Sequence, residues 1–173
     1  MTTEREFIPL NIAIMTVSDS RNEETDKSGT TLIKMLTATG HNLAEKIIVP
    51  DDMYRIRADV SRWIVDEEVQ VIITTGGTGL TGRDGTPEAV APLLDKVIEG
   101  FGEMFRSISY DFIGTSTMQS RALAGTVNGT FIFCLPGSTG ACKDGWKHLI
   151  EKQLDYRTRP CNLVELMPRL LEK

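Results

Sequence analysis

The run Val69-Gln-Val-Ile-Ile-Thr-Thr75 stops in a loop with glycine at positions 76, 77, 79 and 82, and Arg83-Asp84 closes that loop. Few folds accommodate the juxtaposition. A short run rich in β-branched residues suits a strand buried on both faces. Glycines directly beyond it permit positive φ and remove the side chains that would hold backbone N–H groups away from an anion. A plain structural turn needs no such density of glycine, so the segment predicts a core strand feeding a phosphate-handling loop. Asp84 would repel phosphate there unless a cation bridges the two, and magnesium does so with one or two carboxylates and phosphate oxygens.

The rest of the chain repeats the alternation of strand and helix. Asn11 to Val17 reads as a first strand, leaving through Ser18-Asp19-Ser20-Arg21, and Ser28 caps a helix carrying Leu32, Ile33 and Leu36 that Gly40 ends. Ala44 to Val49 is a second strand ending in Pro50-Asp51-Asp52. Ile56, Val60, Trp63 and Ile64 then fall on one face of a second helix. After the glycine loop, Thr86-Pro87-Glu88 offers a cap, a first-turn proline and a first-turn acid, and Val90, Leu93, Leu94, Val97 and Ile98 extend that helix. Gly100 and Gly102 interrupt it, with short helical pieces expected around Met104 to Ile108 and Thr117 to Leu123. Asn128-Gly129 predicts a tight hairpin into Thr130 to Leu135, and a last helix places Cys142, Trp146, Leu149, Ile150 and Leu154 on one face. The pattern predicts a three-layer α/β sandwich, with a mostly parallel central sheet and one antiparallel edge strand, in a single domain whose residues 155–173 form a C-terminal tail.

In such a sheet ligands gather beyond the carboxyl ends of the strands, where neighbouring connections leave in opposite directions. Four polar or glycine-rich exits converge there: Ser18-Asp19, Pro50-Asp51-Asp52, Thr75-Gly76-Gly77-Thr78-Gly79 with Asp84, and Pro136-Gly137-Ser138-Thr139. Asp84 and Asp51 are the candidate metal ligands for a nucleotide triphosphate, which makes phosphoryl or nucleotidyl transfer the expected chemistry. Solvated carboxylates are expected at Asp52, Glu67 and Glu68. Arg121, Lys143, Lys147, Arg157 and Arg159 are candidate anion contacts.

Two familiar motifs fit less well. Gly77-Thr-Gly-Leu-Thr-Gly82 matches a dinucleotide fingerprint literally, but the helix signal begins only at Thr86-Pro87, too late for a pyrophosphate to meet its N-terminus. No nicotinamide dinucleotide binding is expected. Arg83-Asp84 stand where a P-loop needs Lys followed by Ser or Thr.

The net charge of −5 over 173 residues argues against broad nucleic-acid binding. Nothing in the sequence reads as a signal peptide or a membrane span, so a cytoplasmic protein is expected. Cys134, Cys142 and Cys161 show no Cys-x-x-Cys pairing and are read as reduced core residues rather than zinc ligands, and His41 and His148 have no visible catalytic partner.

Taken together, Val17-Ser-Asp19, Thr74-Thr-Gly-Gly-Thr-Gly79, Arg83-Asp84, Pro87-Glu-Ala89, Gly100-Phe-Gly-Glu103, Ser120-Arg121 and Pro136-Gly137 give a chain that resembles, over nearly its whole length, the molybdenum cofactor biosynthesis proteins of MoaB and MogA type and the gephyrin-like domains. The resemblance is closer to the MoaB branch, because Pro136-Gly-Ser-Thr139 lacks the second proline common in the catalytic branch and the tail Arg157-Thr-Arg-Pro-Cys161 looks MoaB-like. It implies a molybdopterin-binding domain that transfers AMP from ATP, with Mg2+, to the terminal phosphate of molybdopterin. The alternative is a non-catalytic molybdopterin-binding accessory or carrier protein. On this resemblance Asp51 and Asp84 are the catalytic carboxylates, and Ser18, Asp19, Thr75, Gly76, Gly77, Thr78, Gly79, Ser120, Arg121, Pro136, Gly137 and Ser138 bind nucleotide or substrate. It also implies a homotrimer or hexamer and other molybdenum cofactor biosynthesis proteins as partners.

Overall fold

β1 (Asn11–Val17) is hydrophobic at every position from Ile12 except Thr16, and this follows from its place inside a sheet covered on both faces. The computed structural model describes residues 4–173. Side chains alternate across a strand. Ile12 and Ile14 therefore join one core with Leu32, Leu36, Phe101, Phe105, Phe133 and Trp146, while Ala13, Met15 and Val17 join the opposite core with Ile56, Val60, Trp63, Ala89 and Val90. These two cores separate three layers.

The six strands lie in the order β2-β1-β3-β6-β5-β4. β2 (Asn42–Val49) and β3 (Val71–Thr75) flank β1, both parallel to it, and β6 (Thr130–Leu135) runs parallel to β3. β5 (Leu123–Val127) is antiparallel to β6, joined to it through Asn128 and Gly129, whose φ of 47° and 81° are those of the expected tight hairpin. A two-residue strand, β4 (Lys96–Val97), pairs antiparallel with β5 and forms the outer edge. The chain leaves β1 toward β2 and leaves β3 toward β6, so β1 and β3 bound the switch point of the sheet.

α1 (Lys27–Ala38) is capped by Asp26, not by Ser28, which lies buried inside the first turn. The Asp26 carboxylate accepts the Gly29 N–H at 2.9 Å and the Thr16 hydroxyl at 2.7 Å, and Lys46 Nζ stands 3.1 Å away. Burial alone pushes this carboxyl up, but the Gly29 N–H, the Thr16 hydroxyl and Lys46 together hold it below the usual carboxylate range. The native state thus favours the ionised form. Its contribution is complete above the ordinary Asp value of about 4 and is lost as pH falls through the lower folded value. Urea midpoints are expected to decline on acidification through that window, and to decline less steeply in Asp26→Asn.

α2 (Met53–Ile64) is capped by Asp52, which accepts the Tyr54 and Arg55 N–H groups at 3.0 and 2.9 Å. Asp52 is therefore a helix cap as well as the solvated acid expected there. The expected long helix after the glycine loop is replaced by α3 (Thr86–Val90), a 3₁₀ turn over Ala91–Leu93 and then β4. Pro92 has no N–H to donate back along the helix, and Arg57 takes the Glu88 and Ala89 carbonyls at 2.9 and 3.1 Å. The freed chain pairs instead with β5, Asp95 and Ile98 N–H reaching the Thr126 and Ala124 carbonyls at 2.8 Å.

Gly100 and Gly102 do not interrupt a helix but lie within one, α4 (Glu99–Ile113), where a Cβ on Gly102 would come within 2.8 Å of the Ala122 carbonyl oxygen. The piece expected at Thr117 to Leu123 is a 3₁₀ turn over Gly114–Gln119 running straight into β5. α5 (Thr139–Gly145) continues through a π turn, Trp146–Ile150, and a last turn, Glu151–Gln153, burying the expected apolar face. The tail ends in a 3₁₀ segment, Val164–Arg169, with Val164 in the core. Cys134 and Cys142 are buried as expected, whereas Cys161 is exposed.

Candidate functional site

The exits of β1, β2, β3 and β6 open on one cleft of about 630 Å³ at the switch point, a size suited to a small-molecule ligand. Its floor is the glycine loop. Gly76 has φ +104° and Gly77 φ +68°, and a Cβ on Gly76 would stand 2.2 Å from the Val17 carbonyl oxygen. The backbone of the β3 exit therefore lies directly against that of β1. On its other side a Cβ on Gly137 would meet Gly76 Cα at 3.2 Å. The Gly76 N–H donates to the Leu135 carbonyl at 3.0 Å, and Thr86 closes the loop, its hydroxyl donating to Gly76 O at 2.8 Å and its N–H to Gly77 O at 3.0 Å. α3 begins only at Thr86, so the Gly77-to-Gly82 pattern does not open a helix as a dinucleotide fingerprint must.

Ser18, Asp51, Gly76, Gly77, Thr78, Gly79, Asp84, Ser120, Pro136, Gly137 and Ser138 all line the cleft, whereas Asp19, Thr75 and Arg121 stand behind it. Asp19 accepts the Asp51 N–H at 3.1 Å and pairs with Arg83 at 2.5 Å, fixing the β2 exit. The buried Thr75 hydroxyl donates to the Pro136 carbonyl at 3.0 Å, tying β3 to β6. Ser138 caps α5 by accepting the Ala141 N–H at 3.1 Å.

Arg121 braces the loop. Its Nε reaches the Gly79 and Thr78 carbonyls at 2.9 and 3.2 Å, its Nη2 reaches those of Gly79 and Asp84 at 2.6 and 3.3 Å, and Glu88 takes Nη1. Its planar fork spans carbonyls that a lysine's point charge cannot. Arg121→Lys is expected to cost roughly 1–2 kcal/mol and to speed hydrogen exchange at the Thr81 and Asp84 amides, with the central strands unchanged. Of the other candidate cations, Arg157 is held by Asp155 at 2.8 Å, and Lys143 and Lys147 are exposed.

The two carboxylates face the glycine loop in opposed electrostatic states. Burial raises Asp51, and the charges of Asp84 and Asp19 raise it further, against the Gly85 N–H and Arg83. Asp84 is lowered, chiefly by the Thr81 hydroxyl, then by the Thr81 and Gly79 N–H groups and Arg121. Asp51 Oδ1 accepts the Gly85 N–H at 3.1 Å. Among the described residues none donates a hydrogen bond to Asp51 Oδ2, which lies 3.1 Å from where a Cβ on Gly77 would stand. Asp84 Oδ2 accepts the Thr81 N–H and hydroxyl at 2.9 and 2.6 Å.

Among the described residues no three His, Cys, Asp or Glu side chains gather tightly enough to hold a metal on their own. Two hard oxygen donors beside a phosphate-accessible backbone nevertheless fit magnesium, which completes its shell with water and substrate phosphate. The negative charge that raises Asp51 is what such a cation would neutralise.

Sequence reasoning missed the wall opposite the loop, where Phe105, Ser109 and Ile113 of α4, Ser116 and Gln119 of the 3₁₀ turn, and Arg21 complete the cleft. The Phe101 and Phe105 spacing within α4 was a usable signal. Ser120 Oγ is buried in this wall without a hydrogen-bond partner among the described residues.

A sequence-family profile described as a probable molybdopterin binding domain matches residues 13–156. The chain is 55% identical over 157 residues to molybdenum cofactor biosynthesis protein B of Escherichia coli strain K12, covering 91% of this chain and 92% of the relative. It superposes on a crystal structure of a molybdenum cofactor biosynthesis protein B with TM-score 0.84 at 46% identity, covering 87% of this chain and 94% of the other. The tungsten cofactor synthesizing protein MoaB from Pyrococcus furiosus gives TM-score 0.75 at 36% identity, with 83% and 92% covered.

Proposed function

Because the chain belongs to the molybdopterin-binding domain family and is a MoaB-type molybdenum cofactor biosynthesis protein, we propose that it transfers AMP from ATP to the terminal phosphate of molybdopterin in a magnesium-dependent reaction. One observation supports this reading above the others: Asp51 and Asp84 flank a positive-φ glycine loop at the switch point of the sheet. An oxygen of the acceptor phosphate attacks the α-phosphorus of ATP. A P–O bond forms to it, the bond to the β-phosphate bridge breaks, and pyrophosphate leaves with that electron pair.

Asp51 and Asp84 would hold Mg2+, which supplies neutralisation of the charge developing on the phosphate oxygens. Gly76, Gly77 and Gly79 let the phosphates approach the backbone. Phe105 gives the cleft an apolar wall, and Ser120 lines it beside the Arg121 brace.

We read the protein as a cytoplasmic homo-oligomer, a trimer or hexamer, working with other proteins of the pathway. Exposed Met104, Tyr110, Phe112, Ile113 and Met118 supply apolar surface for an interface. Among the described residues no helix is long and apolar enough to cross a membrane.

Incubation with ATP, magnesium and molybdopterin tests the reading. Adenylylated molybdopterin and pyrophosphate are expected in equal amounts. Tight molybdopterin binding with neither product would assign the chain to the accessory role instead, which the engagement of Asp84 Oδ2 by Thr81 favours.

A further inference from the structure

Among the described residues Arg21 is the only basic side chain lining the cleft, and no carboxylate lies within ion-pair distance of it. Its position is built rather than incidental. The Ser18 hydroxyl accepts the Ser20 and Arg21 N–H groups at 3.3 and 3.1 Å, folding the β1 exit back over the sheet. The guanidinium donates from Nη1 to Ser28 Oγ at 3.0 Å, and that hydroxyl donates in turn to the Gly137 carbonyl at 2.7 Å.

Ser28 is fully buried, so this relay anchors Arg21 to both α1 and the β6 exit. The hydroxyl's own proton is committed to Gly137, which leaves Ser28 Oγ as an acceptor and fixes one edge of the guanidinium. No other donor of the fork has an acceptor in the protein among the described residues. An arginine with one edge fixed and the other free is arranged for a bidentate anion.

The cleft is thereby polarised. Asp51 and Asp84 lie together at the β2 and β3 exits, whereas Arg21 stands at the β1 and β6 exits, where its charge is felt by the Cys142 thiol of α5. A magnesium-bound triphosphate brings a cation that suits the carboxylate end. A phosphate monoester without a cation of its own needs the positive end.

On the proposed reaction, which this inference rests on, we infer that Arg21 binds the terminal phosphate of the acceptor and that the Arg21–Ser28–Gly137 relay selects phosphorylated over dephosphorylated pterin. Ser28 is a positioning residue and Arg21 a substrate-binding one.

Binding is measured without ATP, by titrating the purified protein with molybdopterin and with its dephosphorylated form, alongside steady-state adenylylation. Arg21→Ala is expected to weaken molybdopterin binding about 10- to 100-fold, to leave the KM for magnesium-ATP within about twofold of wild type, and to abolish discrimination against the dephosphorylated pterin. Arg21→Lys should keep the unfolding midpoint and recover only part of the affinity. Ser28→Ala should weaken binding less than Arg21→Ala.

Wild-type affinity in Arg21→Ala, or discrimination undiminished in a folded Arg21→Lys, overturns the inference while leaving AMP transfer standing. Loss of molybdopterin binding in Arg21→Ala, with a wild-type protein that binds but never adenylylates, supports Arg21 and removes only turnover. A wild-type protein that binds no molybdopterin overturns both.

Discussion

Asp51→Asn is expected to lower magnesium-dependent AMP transfer at least about 100-fold while leaving the protein as stable as wild type or more so. The two effects have one cause. Burial and the neighbouring charges of Asp84 and Asp19 hold the Asp51 carboxyl above its ordinary value. A raised folded value means that the stabilising contribution is present below the unfolded value and is lost as pH rises through the folded one. At neutral pH the ionised Asp51 therefore opposes folding, and a neutral amide of the same shape removes that opposition.

The charge at this position then serves the site rather than the fold. Magnesium should raise the thermal midpoint of the wild type and fail to do so in Asp51→Asn, a readout independent of turnover. Asp84→Asn should show the same loss of activity, and the double variant little more than either single one, because groups acting as one unit are not additive. A single variant with wild-type kcat/KM would remove its carboxylate from the reaction. Equal destabilisation of both variants would make them structural.

The parts of this site that sequence made legible are those where one residue type answers a backbone requirement. Glycines after an apolar run, Asn128-Gly129 between two strands, and four polar strand exits each carry a local physical reason, and the parallel sheet gathers those exits without further information. What escaped depended on partners distant in sequence. Arg57 closes α3 by taking two of its carbonyls, and nothing near Glu88 announces it. Gly100 and Gly102 read as breakers by propensity, yet both lie within α4, where close packing of Gly102 against the Ala122 backbone overrides propensity. With only a short helical piece expected around Met104 to Ile108, the wall built from Phe105, Ser109 and Ile113 was left unassigned, although the Phe101 and Phe105 spacing pointed to it. Arg121 illustrates the converse. Its charge suggested an anion contact, but charge alone does not disclose that its donors are spent on loop carbonyls and Glu88.

Gly76→Ala should be the most damaging single methyl in the molecule, costing more than about 4 kcal/mol. Two penalties add. The residue sits at φ +104°, outside the range comfortable for an L side chain, and the new Cβ would stand 2.2 Å from the Val17 carbonyl oxygen. The collision cannot be relieved by a rotamer, because the obstacle is backbone. Nor can Val17 retreat, since the neighbouring Ser18 N–H is tied to the Val49 carbonyl at 2.9 Å and Gly76 itself to Leu135 at 3.0 Å. Against a typical total of about 5–15 kcal/mol, the variant should lose most of its cooperative unfolding transition in urea. Gly82→Ala is the matched control: it lies in the same loop with no atom within 4 Å of the added Cβ and no positive φ. That change should be neutral, or stabilising by about 0.4–1 kcal/mol through the unfolded state. If both variants unfold with the wild-type midpoint, the close packing of the β1 and β3 exits is wrong. If they separate as stated, Gly76 serves the contact between strand exits while Gly82 meets no steric demand, and only part of the glycine density in the loop is set by packing.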